Sequence, residues 1–191
     1  MYNMKSKIIL GIFILCIYSS ANCQNEESKI ELNSSCHYSL LGTGDYSAFY
    51  YNNGINYSVT PLLQICASLG FIYSSNNGES NIFLYHNNSY LMGNFYIRIL
   101  PIKTKRFTGY LGLGSSNRYR AEIVLSGYSN YGGNITYDYT DNFSFDTGYI
   151  VYLGFSYKIS PKISIILNGE MDNYKNGTGV SSIGMGINIK I

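Results

Sequence analysis

Hydrophobic and small or polar residues alternate without a break from Ile183 to Ile191. Ile183, Met185, Ile187, Ile189 and Ile191 fall on one face, and Gly184, Gly186, Asn188 and Lys190 on the other. Successive side chains of a strand point to opposite sides, so this segment reads as a strand with one greasy face and one small or polar face. The same period recurs along the chain. It predicts strands at about 35–43, 49–59, 62–74, 89–100, 107–116, 147–159 and 163–172, ahead of the last one at 181–191. In the sixth, Tyr149, Val151, Leu153, Phe155, Tyr157 and Ile159 oppose Tyr152, Gly154, Ser156 and Lys158. Pro61, Pro101 and Pro161 mark three short turns, because proline fixes φ and cannot donate to a ladder. The links between those turns are longer. Ser74 to Asn88 and, above all, Asn117 to Asp146 read as irregular loops rich in Tyr, Asn, Ser and Gly, with Ala121 to Leu125 as one candidate extension of a strand. No segment has a helical period long enough to compete.

Eight strands of about ten residues, joined by short turns at one end and long loops at the other, match the plan of a transmembrane barrel. The composition of the two faces decides which way the wall is turned. A soluble sandwich or barrel also alternates, but its outer face carries charge along every strand. Here the second face holds Gly54, Gly70, Gly112, Gly114, Gly154, Gly184 and Gly186, with Ser, Asn and few ions. Small residues suit the crowded inside of eight strands. Tyr51, Tyr57, Tyr73, Tyr149 and Tyr157 lie toward strand ends on the apolar face, as aromatic girdles do. The expected fold class is therefore all-β: an eight-stranded antiparallel up-and-down transmembrane β-barrel. A soluble, secreted barrel for a small ligand is the alternative.

The totals agree with a membrane address. The chain has 191 residues, of which 46% are hydrophobic, 16% aromatic and only 13% charged, against about 25% charged in ordinary soluble domains. A net charge of +2 is too weak to argue for nucleic acid. Lys5 and Lys7 precede an apolar run from Ile8 to Tyr18, followed by Ser19-Ser20-Ala21-Asn22-Cys23. The run is shorter than the ~20 residues of a spanning helix, and its flanks fit a signal peptide. Residues 1–23 are read as that signal, 24–34 as a short periplasmic lead and 35–191 as the barrel domain. Cys23 stands in a poor lipobox. Cys36 and Cys66 fall on strands one and three, two spacings or ~9.5 Å apart, beyond the ~7 Å a disulfide allows. Two free, packed cysteines are expected.

Five ions fall on the face assigned to the lumen: Arg98, Lys158, Glu170, Asp172 and Lys190. Buried ions need partners, so these read as a polar network that fills the lumen, with Arg98 and Glu170 paired across it. A proton or ion path is the competing reading, which an eight-stranded barrel disfavours because its own side chains fill it. His37, near Ser35 and Ser39, and His86, in a loop beside Asn87 and Ser89, are the only histidines. A lipid-modifying enzyme would need one of them to be the base for a nucleophile. Catalytic, cofactor and metal residues are not assigned. Gly112-Leu113-Gly114 lacks the helix of a phosphate loop, and no Cys/His spacing suits a metal. The long loops, facing outside, offer an adaptable surface for an extracellular ligand.

Asn94-Phe95-Tyr96-Ile97-Arg98 running into Lys103-Thr104-Lys105-Arg106-Phe107 and Tyr110-Leu111-Gly112-Leu113-Gly114 gives the chain a family resemblance. So do the strand–proline units at Tyr57–Pro61 and Tyr157–Lys162. Over Cys36 to Ile191 it resembles the small eight-stranded outer-membrane β-barrel domain of the OmpA/OmpX type, especially the versions of Bacteroidetes-like bacteria. The resemblance implies a monomer in outer-membrane lipid, inserted by the barrel-assembly machinery. It implies a structural or surface-interaction role with no open pore and no enzymatic activity. Family members usually end in an aromatic residue, where this chain has Ile191.

Overall fold

The computed structural model describes residues 29–42, 46–77, 85–131, 134–175 and 179–191. The residues assigned to the signal peptide lie outside them. Eight strands follow in order: β1 (Ile30–Leu41), β2 (Tyr46–Thr60), β3 (Leu63–Asn77), β4 (Tyr85–Lys103), β5 (Phe107–Tyr131), β6 (Asn134–Lys158), β7 (Ile163–Tyr174) and β8 (Val180–Lys190). Each pairs antiparallel with its neighbour, and β8 returns to β1, so the sheet closes into a barrel. The closing ladder runs from Glu31 opposite Lys190 to Leu41 opposite Val180. The alternating strand at the end of the sequence thus finds the neighbour that its apolar face requires.

Three short links share one end of the barrel: Pro61 and Leu62, Thr104 to Arg106, and Ile159 to Lys162. In the second, Thr104 and Phe107 hold each other: the Thr104 amide donates to the Phe107 carbonyl at 2.8 Å and the Phe107 amide to Thr104 Oγ1 at 2.9 Å. Pro101 causes the register shift between Ile99 and Ile102, as a residue without an N–H does when it enters a ladder.

The alternation has the sense expected of a membrane wall. Phe49, Leu69, Phe95, Leu113, Leu153 and Ile183 point outward and are exposed, while Asn52, Asn94, Arg98, Asn168 and Glu170 are buried inside. Apolar side chains cover the outside of all eight strands. In water that wall would be one contiguous apolar patch, far beyond the few hundred Å² a soluble monomer exposes. In lipid it needs no cover. The five girdle tyrosines, Tyr51, Tyr57, Tyr73, Tyr149 and Tyr157, are all on the outside. The soluble alternative, with its apolar face inward, is the reverse of this arrangement.

Several expectations are corrected. β1 begins at Ile30, five residues ahead of the expected Ser35, so the second half of the proposed lead is already wall. Cys36 and Cys66 are both free, but only Cys66 is packed; Cys36 is exposed on the outside, sharing the parity of Tyr38 and Leu40. Residues 74–77 pair with 85–88 rather than forming loop, which puts His86 on β4. The largest correction concerns Asn117 to Asp146. Its described residues are paired strand rather than loop, β5 and β6 running from Arg118 opposite Asp146 to Tyr131 opposite Asn134, with one irregularity between Leu125 and Gly127.

Candidate functional site

The lumen is packed by aromatic rings to a degree that the small-residue face conceals. Leu41, Ala48, Tyr50, Ile72, Tyr90, Met92, Tyr174 and Val180 form one cluster. Cys66, Tyr96, Leu100, Tyr110, Ile150 and Tyr152 form a second, nearer the short turns. The glycines make this possible. Across the ladder Tyr110 stands opposite Gly154 and Tyr152 opposite Gly112, and His37 stands opposite Gly184. A Cβ built on Gly154 would run into the ring of Tyr110, and one on Gly184 into the His37 imidazole. The Tyr110 ring therefore lies over Gly154 and the His37 imidazole over Gly184, while the ring nearest Gly112 is that of Tyr96 from the neighbouring strand. Tyr96 and Tyr152 stack at 5.1 Å, and Tyr110 and Tyr152 at 5.8 Å.

The five expected lumen ions all lie on the inner side but do not form one network. Arg98 is 2% exposed and sits among the lower tyrosines. Its Nη1 donates to Gln64 Oε1 at 3.4 Å and its Nη2 to the Tyr96 hydroxyl at 3.3 Å. Its guanidinium lies 4.3 Å from the Tyr110 ring and 5.1 Å from the Tyr152 ring. The expected Arg98–Glu170 pair does not form. In register Arg98 is beside Gly112, Gly112 beside Tyr152, and Tyr152 beside Glu170. Three strand spacings and a phenol ring thus separate the two. Glu170 and Asp172 are both buried on β7 at a higher level, with Glu170 opposite Ser182 on β8. Lys190 lies 3.6 Å from Glu31 at the lower rim. Lys158, half-buried, lines that same mouth.

His37 is buried, its Nε2 2.8 Å from Ser35 Oγ and its Nδ1 3.3 Å from Ser182 Oγ. Two hydroxyls and the Tyr50 ring at 4.9 Å fix it in the wall. Ser39, the other expected neighbour, is not among its hydrogen-bond partners.

A second ionic group went unrecognised in the sequence because it lies in the stretch read as loop. Arg118 Nε donates to Asp146 Oδ2 at 2.9 Å, and both residues are 1% exposed. Arg120 Nε lies 3.7 Å from the same carboxylate oxygen and donates to Ser144 Oγ at 2.9 Å, while its Nη1 reaches Glu122 Oε1 at 3.3 Å. The Tyr90 hydroxyl donates to Glu122 at 3.0 Å. The Arg118 guanidinium lies 4.0 Å from the Tyr174 ring and 5.0 Å from Tyr90. This network caps the lumen where the hairpin leaves the barrel. The signal available in the sequence was the spacing of Arg118, Arg120 and Glu122, which alternation places on one face.

Above the cap the hairpin continues as a two-stranded ribbon. Tyr119 stacks on Phe143 at 6.3 Å, and Phe143, Phe145, Tyr128 and Tyr131 are exposed, Tyr131 at 91%.

Solved structures share the architecture at low sequence identity. Ail, the attachment invasion locus protein of Yersinia pestis, is 12% identical with a TM-score of 0.56 over 85% of this chain and 98% of that one. Ail has also been solved in complex with the heparin analogue sucrose octasulfate. The outer membrane protein OprG of Pseudomonas aeruginosa is 13% identical with a TM-score of 0.56, over 89% of this chain and all of that one. Neisserial surface protein A is 13% identical with a TM-score of 0.53, over 87% of this chain and all of that one. The likeness is one of fold: the small eight-stranded transmembrane barrel. No protein-family model matches the chain, and no curated protein does.

Proposed function

We propose that this chain is an integral outer-membrane protein in a structural or surface-interaction role, exported by the signal at residues 1–23 and inserted as a monomer by the barrel-assembly machinery. The β5–β6 hairpin is its contact surface, and the packed lumen gives it no open pore. One observation carries the reading. β5 and β6 are each 25 residues long, more than twice the ~9–11 that a spanning strand needs. The excess emerges opposite the short turns and bears exposed aromatic side chains.

The chemistry of that ribbon narrows the partner. From Ala121 to Phe145 it has no Lys or Arg; Asp138 and Asp141 are exposed there, while Glu122 and Asp146 are taken up by Arg120 and Arg118 in the cap. A sulfated polyanion, such as the heparin analogue bound by Ail, does not fit this charge. Tyrosine, phenylalanine, asparagine and serine offer stacking and adaptable hydrogen bonds, which suit a neutral or basic protein or sugar surface.

Two measurements test the proposal. The full chain should be recovered with outer membranes and should migrate differently on a gel before and after heating in detergent. An epitope inserted between Tyr131 and Asn134 should be reached by antibody on intact cells. Recovery in the soluble fraction would remove the membrane assignment. An epitope reached only after permeabilisation would remove the surface role.

A further inference from the structure

The lumen opens at the short-turn end into a cavity of about 820 Å³. Its lining is strongly one-sided in charge. Lys103 at the end of β4, Lys105 and Arg106 on the β4–β5 link, and Lys158 and Lys190 from the wall surround it, and Arg98 lines it too. Glu31 is the one carboxylate side chain in the lining, and Lys190 already lies against it. Hydroxyls such as Thr108 and Ser156 fill the intervals.

Arg98 is the feature that turns a basic rim into a site. A guanidinium is always charged, and burying a charge without a counter-ion is costly. Its two hydrogen bonds, at 3.3 and 3.4 Å, are long for N–H···O and go to neutral groups. Its Nε has no hydrogen-bond partner. Among the described residues no carboxylate makes an ion pair with it. The tyrosine rings hold the group flat and stiff while leaving its edge donors underused. An immobilised guanidinium with free edge donors fits a phosphoryl group through paired N–H···O bonds. Several flanking cations match a dianion better than a single carboxylate.

We propose that this mouth is a binding site for a phosphoryl anion, with Arg98 as its floor and Lys105, Arg106 and Lys158 as its rim. The inference goes beyond the surface role and does not depend on the hairpin. The phosphoryl group has two sources at this position: a soluble phosphate compound, or the headgroup of an anionic phospholipid in the leaflet level with the short turns.

The test uses the full chain folded in maltoside micelles, which contain no phosphate, at low ionic strength. One arm titrates inorganic pyrophosphate by calorimetry. The other adds dilauroyl-phosphatidylglycerol and counts retained lipid by native mass spectrometry. Arg98→Gln should weaken binding at least tenfold in whichever arm is positive, Arg98→Lys less, and Lys105→Gln/Arg106→Gln several-fold. Lys175→Gln, at the opposite end of the barrel, should change nothing. The rim variants keep the test alive if Arg98→Gln fails to fold, which heat-modified migration reports. Binding in the pyrophosphate arm alone assigns a soluble ligand; binding in the lipid arm alone assigns a headgroup. No saturable binding in either arm overturns the proposal. So does binding that the Arg98 and rim variants leave unchanged, or that Lys175→Gln weakens as much as they do.

Discussion

Gly154 and Tyr110 face each other across the β5–β6 ladder, and neither makes sense alone. The ring needs a flat place to lie, and the glycine leaves a gap unless a ring covers it. A methyl group at position 154 meets ring carbons of Tyr110, which cannot bend away because Tyr152 stacks against them. Gly154→Ala should therefore destabilise the barrel by about 1–3 kcal/mol, the usual cost of overpacking a filled interior. Urea unfolding in detergent micelles measures it, and Tyr110→Ser in the same chain should recover part of the loss if the ring is what the methyl strikes. An unchanged midpoint in Gly154→Ala would remove the paired-packing account. Alternation placed both residues on the inner face. It could not say which glycine lay under which ring, because that depends on the cross-strand register.

The element that the sequence disguised is the β5–β6 hairpin. Period-two patterning is visible only where the two faces of a strand meet different surroundings. Beyond the membrane both faces of a ribbon meet water, so Tyr, Asn, Ser and Asp occur on either side and the pattern fades. Only the base of the hairpin keeps a one-sided environment, and there Arg118, Arg120 and Glu122 share the inner face. Asp146 is the centre of that cap, accepting from Arg118 at 2.9 Å and lying 3.7 Å from Arg120. Asp146→Asn takes from a buried guanidinium the carboxylate that accepts its Nε hydrogen bond and should cost about 3 kcal/mol, since breaking one partner of a buried pair is far worse than replacing both. The double variant with Arg118→Met should be more stable than Asp146→Asn alone. Equal stability of the single variant and wild type by thermal melting would show that the cap does not hold the barrel top.

At the scale of the whole molecule the deciding quantity is what surrounds the wall. Leu153 lies on the outside, 50% exposed, five positions before the end of β6 at Lys158. That is about the middle of a ~10-residue span. A charge there should cost about 2–4 kcal/mol, as arginine does at the midplane of such barrels. Leu153→Arg should accordingly fold poorly into vesicles, measured as the heat-modified fraction on a gel. Tyr131→Arg, on the ribbon far from lipid, should insert like wild type. Equal insertion of the two variants would mean that the outer face of β6 does not contact lipid.

The amino-acid order by itself determined the number of strands, their alternation, the sense in which the wall is turned and the short-turn end. These follow from local rules: side chains alternate along a strand, proline interrupts a ladder, and a greasy face seeks a greasy solvent. Only the closed barrel decided the contacts across it. Strand register chose the glycine under each ring, put Tyr152 between Arg98 and Glu170 and joined Arg118 to Asp146. Those pairings link residues far apart in the chain, and no periodicity along one strand carries information about what stands on another.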